Sequence, residues 1–96
     1  MSGTEKGRTY FTYMVRCADG SLYTGFTVDD LQKRIDTHNA GKGSRYTRSR
    51  LPVKLAWYAS FSTEHEARSM EWHMKQKTKK EKEALAASFG KDRKTQ

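Results

Sequence analysis

Residues 10–38 read YFTYMVRCADGSLYTGFTVDDLQKRIDTH: two tyrosine-bearing strand patterns around a tight turn, followed at once by an amphipathic helix. The first pattern, residues 9–16, is rich in Tyr, Phe, Thr and Val, which fit a pleated surface. Alternation puts Phe11, Tyr13 and Val15 on one face and Tyr10, Thr12 and Met14 on the other. Neither face is polar throughout, so both are expected to be covered, as in a central strand. The turn Ala18-Asp19-Gly20-Ser21 carries Asp-Gly, a strong hairpin signal because Gly tolerates the positive φ required there. Residues 22–27 make the return strand. Gly25 inside it marks a bulge or a close backbone approach, and it shares a face with Tyr23. Thr27 or Asp29 is expected to cap the next helix, with Asp29 and Asp30 at its positive end. Leu31, Ile35 and His38 recur at helical spacing, and Arg34 and His38 lie one turn apart beside the Leu31/Ile35 stripe. Asn39-Ala40-Gly41 ends that helix.

Outward from this unit, residues 41–52 (GKGSRYTRSRLP) read as a basic loop carrying Lys42, Arg45, Arg48 and Arg50 around Tyr46. A strand follows Pro52, with Val53, Leu55, Trp57 and Ala59 expected on one face. Ser62 or Thr63 caps a second helix, whose buried stripe is Ala67, Met70 and Met74 with Glu71 beside it. Thr78-Lys79-Lys80-Glu81 matches a capping box and opens a third, short helix to about Ser88, closed by Gly90. Residues 1–8 and 90–96 read as flexible tails, and residues 9–89 as a single domain. The expected fold is α/β (α+β): a small three-stranded antiparallel sheet flanked by helices, in the order β-β-α-β-α-α.

Composition bounds the reading. Leu, Ile, Val and Phe make only 13 of 96 residues, and with a net charge of +8 this falls in the range of disordered chains. Five Tyr, two Trp and four Met restore large apolar surface, and the apolar positions are periodic. One folded domain is therefore expected. Nineteen Lys and Arg against eleven acids suit a polyanionic partner. The single cysteine, Cys17, excludes an intrachain disulfide and favours a reducing compartment. No apolar run approaches the roughly 18 residues of a membrane span, and MSGTEKGRT lacks the apolar core of a signal peptide. The expected location is cytoplasmic, with no membrane partner.

The chemistry to explain is Tyr13, Tyr23, Arg34, His38 and Glu71. If the hairpin and both helices meet on one side, a phenol, a guanidinium, an imidazole and a carboxylate converge. A carboxylate can hold a hard divalent cation that polarises phosphate oxygens, and a guanidinium can clamp a phosphate. A tyrosine or the histidine can take a proton from attacking water. Each residue also has a purely structural reading. Strand tyrosines pack, Arg34 serves as a surface cation, His38 caps a helix end, and Glu71 belongs to a charged helix face. Trp57 and Trp72 read as core or partly buried packing residues. There is no Walker-type phosphate loop, zinc-ligand spacing or serine nucleophile elbow.

Taken together, Phe11-Thr12-Tyr13, Tyr23-Thr24-Gly25, the helix LQKRIDTHN, the segment NAGKGSRYTRSRLPVKL and EARSMEWHMK resemble the GIY-YIG nuclease superfamily, in its small single-domain bacterial branch of largely unassigned function. The resemblance spans residues 9–87. It departs where Phe11 and Thr12 replace the first motif's Gly and Ile, and where Thr24 replaces the second motif's Ile. The resemblance implies cleavage of DNA with one Mg²⁺ or Mn²⁺. By analogy Tyr13 is the general base, helped toward the phenolate by Arg34 or a metal-bound water. Tyr23 positions phosphate or water, Arg34 stabilises phosphate charge with His38 in support, and Glu71 binds the metal. Larger relatives add DNA-binding domains. Here Lys42, Arg45, Tyr46, Arg48 and Arg50 are the expected nucleic-acid contact, with Tyr46 stacking on an unpaired base. The expected activity is a structure-selective DNA endonuclease of repair or processing, acting on single-stranded, flap or branched DNA, with RNA a further candidate. The alternatives are a non-catalytic nucleic-acid-binding module or repair adaptor with the nuclease fold, and a protein-interaction domain.

Overall fold

The structure, a computed structural model, describes residues 7–94, with side chains described through residue 89. The expected N-terminal tail falls mostly outside these residues. Seven elements follow in order: β1 (Tyr10–Arg16), β2 (Leu22–Val28), α1 (Leu31–Asn39), α2 (Arg45–Arg48), β3 (Lys54–Phe61), α3 (Glu64–Gln76) and α4 (Lys79–Lys94). The sheet is antiparallel with order β2-β1-β3, so β1 is central, as its two apolar faces require. Tyr13 and Val15 join Ile35, Cys17 and Val53 on one face, under α1. Met14 joins Met74 and Ala86 on the other, under α3 and α4. Three layers result, and each fully buried Met or Val contributes roughly 1.5–3 kcal/mol of apolar transfer.

Five local expectations are corrected. The basic loop is not wholly irregular: Ser44 caps a one-turn helix, α2, through its side chain and Thr47 N, so the order is β-β-α-α-β-α-α. The cap of α1 is Asp30, whose Oδ1 accepts from Lys33 N at 2.9 Å. Asp29 turns left-handed (φ 68°) and exchanges hydrogen bonds with Thr9, tying the end of β2 to the start of β1. The alternation expected along β3 breaks at a bulge: Met14 faces Trp57 but Val15 faces Leu55, leaving Ala56 as the extra residue. Val53 and Leu55 therefore pack under α1, while Trp57 packs with Met14 and Met74 on the opposite side. Finally, α4 does not stop at Ser88 but runs through Gly90 to Lys94. Trp72, read as a packing residue, is 60 % exposed on α3.

Long-range polar ties hold the frame. Asn39 acts as a surrogate strand partner for Val53, accepting from its N–H at 2.7 Å and donating to its carbonyl at 3.0 Å. The 41–52 segment is thus pinched at its base, just after a cis Leu51–Pro52 peptide. Arg16 grips Glu83 through both guanidinium nitrogens, fastening α4 to β1. The expected capping box of Thr78 and Glu81 is formed in both directions.

Two threonines occupy buried strand positions with opposite outcomes. Thr12 Oγ1 donates to the Ala67 carbonyl at 2.5 Å, joining β1 to α3 one turn before Glu71. Thr24 Oγ1 is buried without a partner among the described residues. A buried hydroxyl left unpaired costs about 1–3 kcal/mol. Thr24→Val keeps the shape and removes the orphan, so thermal unfolding should show a midpoint raised by several degrees. A lowered midpoint would mean that the hydroxyl has a partner in solution.

Candidate functional site

The site is built around the phenol of Tyr13. Pairing in register sets Tyr13 opposite Gly25. A Cβ on Gly25 would come within 2.5 Å of the Tyr13 hydroxyl, so the phenol lies where a side chain would otherwise be. This is the close approach that a glycine inside a strand announces. Helix α1 delivers the next two groups one turn apart. Arg34 Nε donates to the Tyr13 oxygen at 3.2 Å, and that oxygen stands 2.7 Å from His38 Nε2. Tyr23 meets the imidazole edge-on, with ring centroids 5.6 Å apart.

His38 is held from its far side as well. Its Nδ1 lies 2.8 Å from Thr47 Oγ1 on α2. With its hydroxyl donating to the Ser44 carbonyl at 3.3 Å, Thr47 can accept from His38 Nδ1–H. The tautomer assigned from this network leaves Nε2 free to accept the Tyr13 proton. Gly43 completes the seat, since a Cβ there would collide with the imidazole. Tyr13, His38 and Thr47 are each 0 % exposed. Thr47, Ser44 and Gly43 were not singled out by sequence reasoning. The available signal was Ser44-x-x-Thr47 after a glycine, a helix-start pattern.

Burial dominates the protonation states. The Tyr13 phenol is pushed up from 10.0 by desolvation, against which the Arg34 hydrogen bond and charge work; nearby Tyr23 and Glu71 push it further up. The expected help from Arg34 is present, but burial outweighs it. His38 is pushed below 6.5, first by burial and then by the Arg34 charge, and is neutral at pH 7.

Glu71 lies on α3, in the layer on the other face of the sheet, and its charge is the least of the influences that shift the Tyr13 phenol. Its side chain is 20 % exposed and pairs with Lys75 at 3.2 Å. Among the described residues no group of three or more His, Cys, Asp or Glu converges as a metal cage. A single hard carboxylate suits Mg²⁺, which keeps its waters and completes its shell with substrate phosphate rather than protein ligands. The donor set fits one such cation at Glu71.

The basic segment divides. Arg45 and Arg48 stand exposed on α2 to either side of buried Thr47, and Lys42 is exposed before it. Arg50 is engaged: its Nε donates to Asp19 Oδ2 at 3.0 Å and its Nη1 to the Tyr46 carbonyl at 2.8 Å. Tyr46 stacks on Tyr23 with centroids 5.7 Å apart, while the Arg50 guanidinium covers its ring at 3.9 Å. A base stacking on Tyr46 would have to take the place of Arg50.

A three-stranded antiparallel sheet presenting two tyrosines to an Arg/His helix, with a glutamate arriving from the far layer, is the arrangement of a GIY-YIG catalytic domain. The model of that domain matches residues 9–84, and the chain belongs to the GIY-YIG family. Within it, the chain resembles UPF0213 proteins. That of Lacticaseibacillus paracasei is 53% identical over 78 residues, 81% of this chain and 86% of the relative. That of Bacillus pumilus is 52% identical over 79 residues, 82% and 79% of the two chains. The solution structure of the UPF0213 protein BH0048 from Bacillus halodurans superposes with a TM-score of 0.53 at 38% identity, over 82% of this chain and 83% of that one. Protein EF2693 from E. faecalis gives a TM-score of 0.56 at 34% identity, over 85% and 86%. None of these names states an activity.

The buried imidazole makes a pH prediction. The unfolded chain takes up a proton near pH 6.5 that folded His38 refuses, so this stabilisation is complete above that pH and is lost as pH falls. Glu83, held down to about 2 chiefly by Arg16, adds a loss only below its ordinary 4.5. Denaturant unfolding should therefore weaken between pH 6.5 and 4.5, and His38→Gln should flatten that interval. An equal slope in both proteins would place the titration elsewhere.

Proposed function

We propose that this domain is a metal-dependent nuclease that hydrolyses phosphodiester bonds in DNA, selects structure rather than sequence, and works in repair or processing within a reducing, cytoplasmic compartment. The supporting observation is the Tyr13 hydroxyl held between Arg34 Nε and His38 Nε2. Neither packing nor solubility calls for a phenol with a neutral proton acceptor on one side and a cation on the other. As water attacks phosphorus, Tyr13 takes the water proton while passing its own to His38 Nε2. Arg34 carries the negative charge that gathers on the phosphoryl oxygens, and Tyr23 orients phosphate or water. Glu71 would hold a divalent cation, Mg²⁺ or Mn²⁺, which would supply Lewis-acid polarisation of the phosphate. The leaving oxygen takes its proton from solvent. Lys42, Arg45 and Arg48 supply exposed positive charge for the strand, so single-stranded, flap or branched DNA fits better than a long sequence-read duplex.

A second reading has its own observation. Tyr13 and His38 are wholly buried, and the phenol is shifted toward its protonated form, as in a structural core. A domain retained for binding DNA or RNA, alone or as a repair adaptor, would show this too.

Labelled single-stranded, duplex, flap and branched DNA, incubated with Mg²⁺, Mn²⁺ or EDTA, separates the two. The nuclease reading expects metal-dependent products, no cleavage by Glu71→Gln despite near-normal binding, and a Tyr13→Phe rate lower by about 10²–10⁴-fold. Salt-sensitive binding without products would favour the binding module.

A further inference from the structure

Charge outside the candidate site also converges. On the far side of Tyr46 a cleft of about 220 Å³ is walled by Ser21, Leu22, Tyr46, Lys79 and Lys82. Its residues come from three separated parts of the chain: the β1–β2 turn, α2 and the first turns of α4. The expected basic contact lay in the 41–52 segment alone, and the last helix was given no part in it. What brings α4 to the turn is the two-pronged grip of Arg16 on Glu83. That grip occupies both Glu83 oxygens at 2.5 and 2.7 Å and leaves Lys79 a longer contact of 3.4 Å to the same carboxylate. Lys82 has no ion pair among the described residues. Of the other nearby acids, Glu81 caps Thr78 N, and Asp19 accepts from the Ser21 N–H and hydroxyl and is paired with Arg50. The cleft wall therefore carries two ammonium groups, Lys79 shared with a carboxylate and Lys82 not, beside the Ser21 hydroxyl, which donates to Asp19 Oδ1 at 2.6 Å.

Tyr46 joins this recess to the candidate site. It is stacked on Tyr23 at 5.7 Å, and Tyr23 touches His38 at 5.6 Å, so two ring-to-ring steps separate the cleft wall from the imidazole. That span lies within reach of a short run of single strand. Charge favours an anion, and the path from the proposed chemistry says which one.

Resting on the nuclease reading, we propose that the Ser21/Lys79/Lys82 cleft is a second phosphate subsite. It holds the backbone of the same nucleic-acid strand beyond the scissile phosphate, after the strand has crossed Tyr46. The strand then runs over the β2 edge of the sheet, from the α1/α2 layer to the α4 layer. An unpaired strand can follow this turn around a sheet edge, whereas a stiff duplex cannot. The cleft thus contributes to selection of single-stranded or frayed substrate.

The test measures equilibrium binding of a labelled single-stranded oligonucleotide in EDTA over a range of salt, so cleavage plays no part. Lys79→Gln/Lys82→Gln is compared with wild type and with Lys54→Gln/Lys77→Gln, which removes equal charge from exposed positions outside the cleft. Circular dichroism of each protein checks that the fold is kept. The cleft variant should bind at least about threefold more weakly than the control variant. Its log K against log salt slope should be shallower by about 0.7 for each lysine that meets a phosphate. The Ser21 amide of wild type should shift on titration with the oligonucleotide. Equal affinity and slope for the two double variants would overturn the subsite and leave the nuclease reading standing. No binding by wild type at low salt would overturn both.

Discussion

One hydrogen bond organises this molecule: the contact of the Tyr13 phenol with the His38 imidazole. Placing both groups out of water is costly unless every polar atom finds a partner. The surrounding structure is the set of conditions under which that happens. Gly25 clears the space that the phenol fills, and Gly43 clears the space beside the imidazole. Arg34 supplies a donor to the phenol oxygen and Thr47 an acceptor to Nδ1–H. Strand pairing, the α1 turn and the α2 cap each contribute one of these groups. The two glycines are thus explained by what they leave out, and the threonine by what it offers.

Much of this was legible in the chain because it is local. The Asp19-Gly20 turn, the two faces of β1, the Arg34/His38 spacing and the Thr78/Glu81 box depend on neighbours a few residues apart. The illegible parts depend on distant partners. Ala56 bulges because β3 must satisfy β1 at both ends, and no pattern within residues 53–60 announces it. Thr47 is indistinguishable from a loop threonine until α1 is in place beside it. Asp30 rather than Asp29 caps α1 because Asp29 is drawn back to Thr9. The continuation of α4 through Gly90 shows a glycine tolerated where helical neighbours extend on both sides. Glu71 was singled out by its place beside the Met70/Met74 stripe and by the family resemblance.

The departures from the family's name-giving motifs have physical content. In a fold of this size the Ile positions lie on the face of the sheet covered by α3 and α4. Thr12 converts its position into a tether on the Ala67 carbonyl, close to the helical turn that carries Glu71. Thr24 gains nothing comparable. The same substitution thus connects two layers at one site and, among the described residues, leaves an unpaired hydroxyl at the other.

Helix α2 has a consequence for how this protein can change over evolutionary time. Its four residues, Arg-Tyr-Thr-Arg, present cations outward at both ends and the buttress of His38 inward between them. Segments that meet a ligand ordinarily drift in length and composition. Here the Asn39–Val53 clamp fixes the base of the segment and Thr47 fixes its middle. An insertion between residues 43 and 47 would rotate a different side chain under the imidazole. The exposed side chains at Arg45 and Arg48, the proposed nucleic-acid contacts, can therefore be exchanged while the spacing that carries them stays locked to the buried histidine.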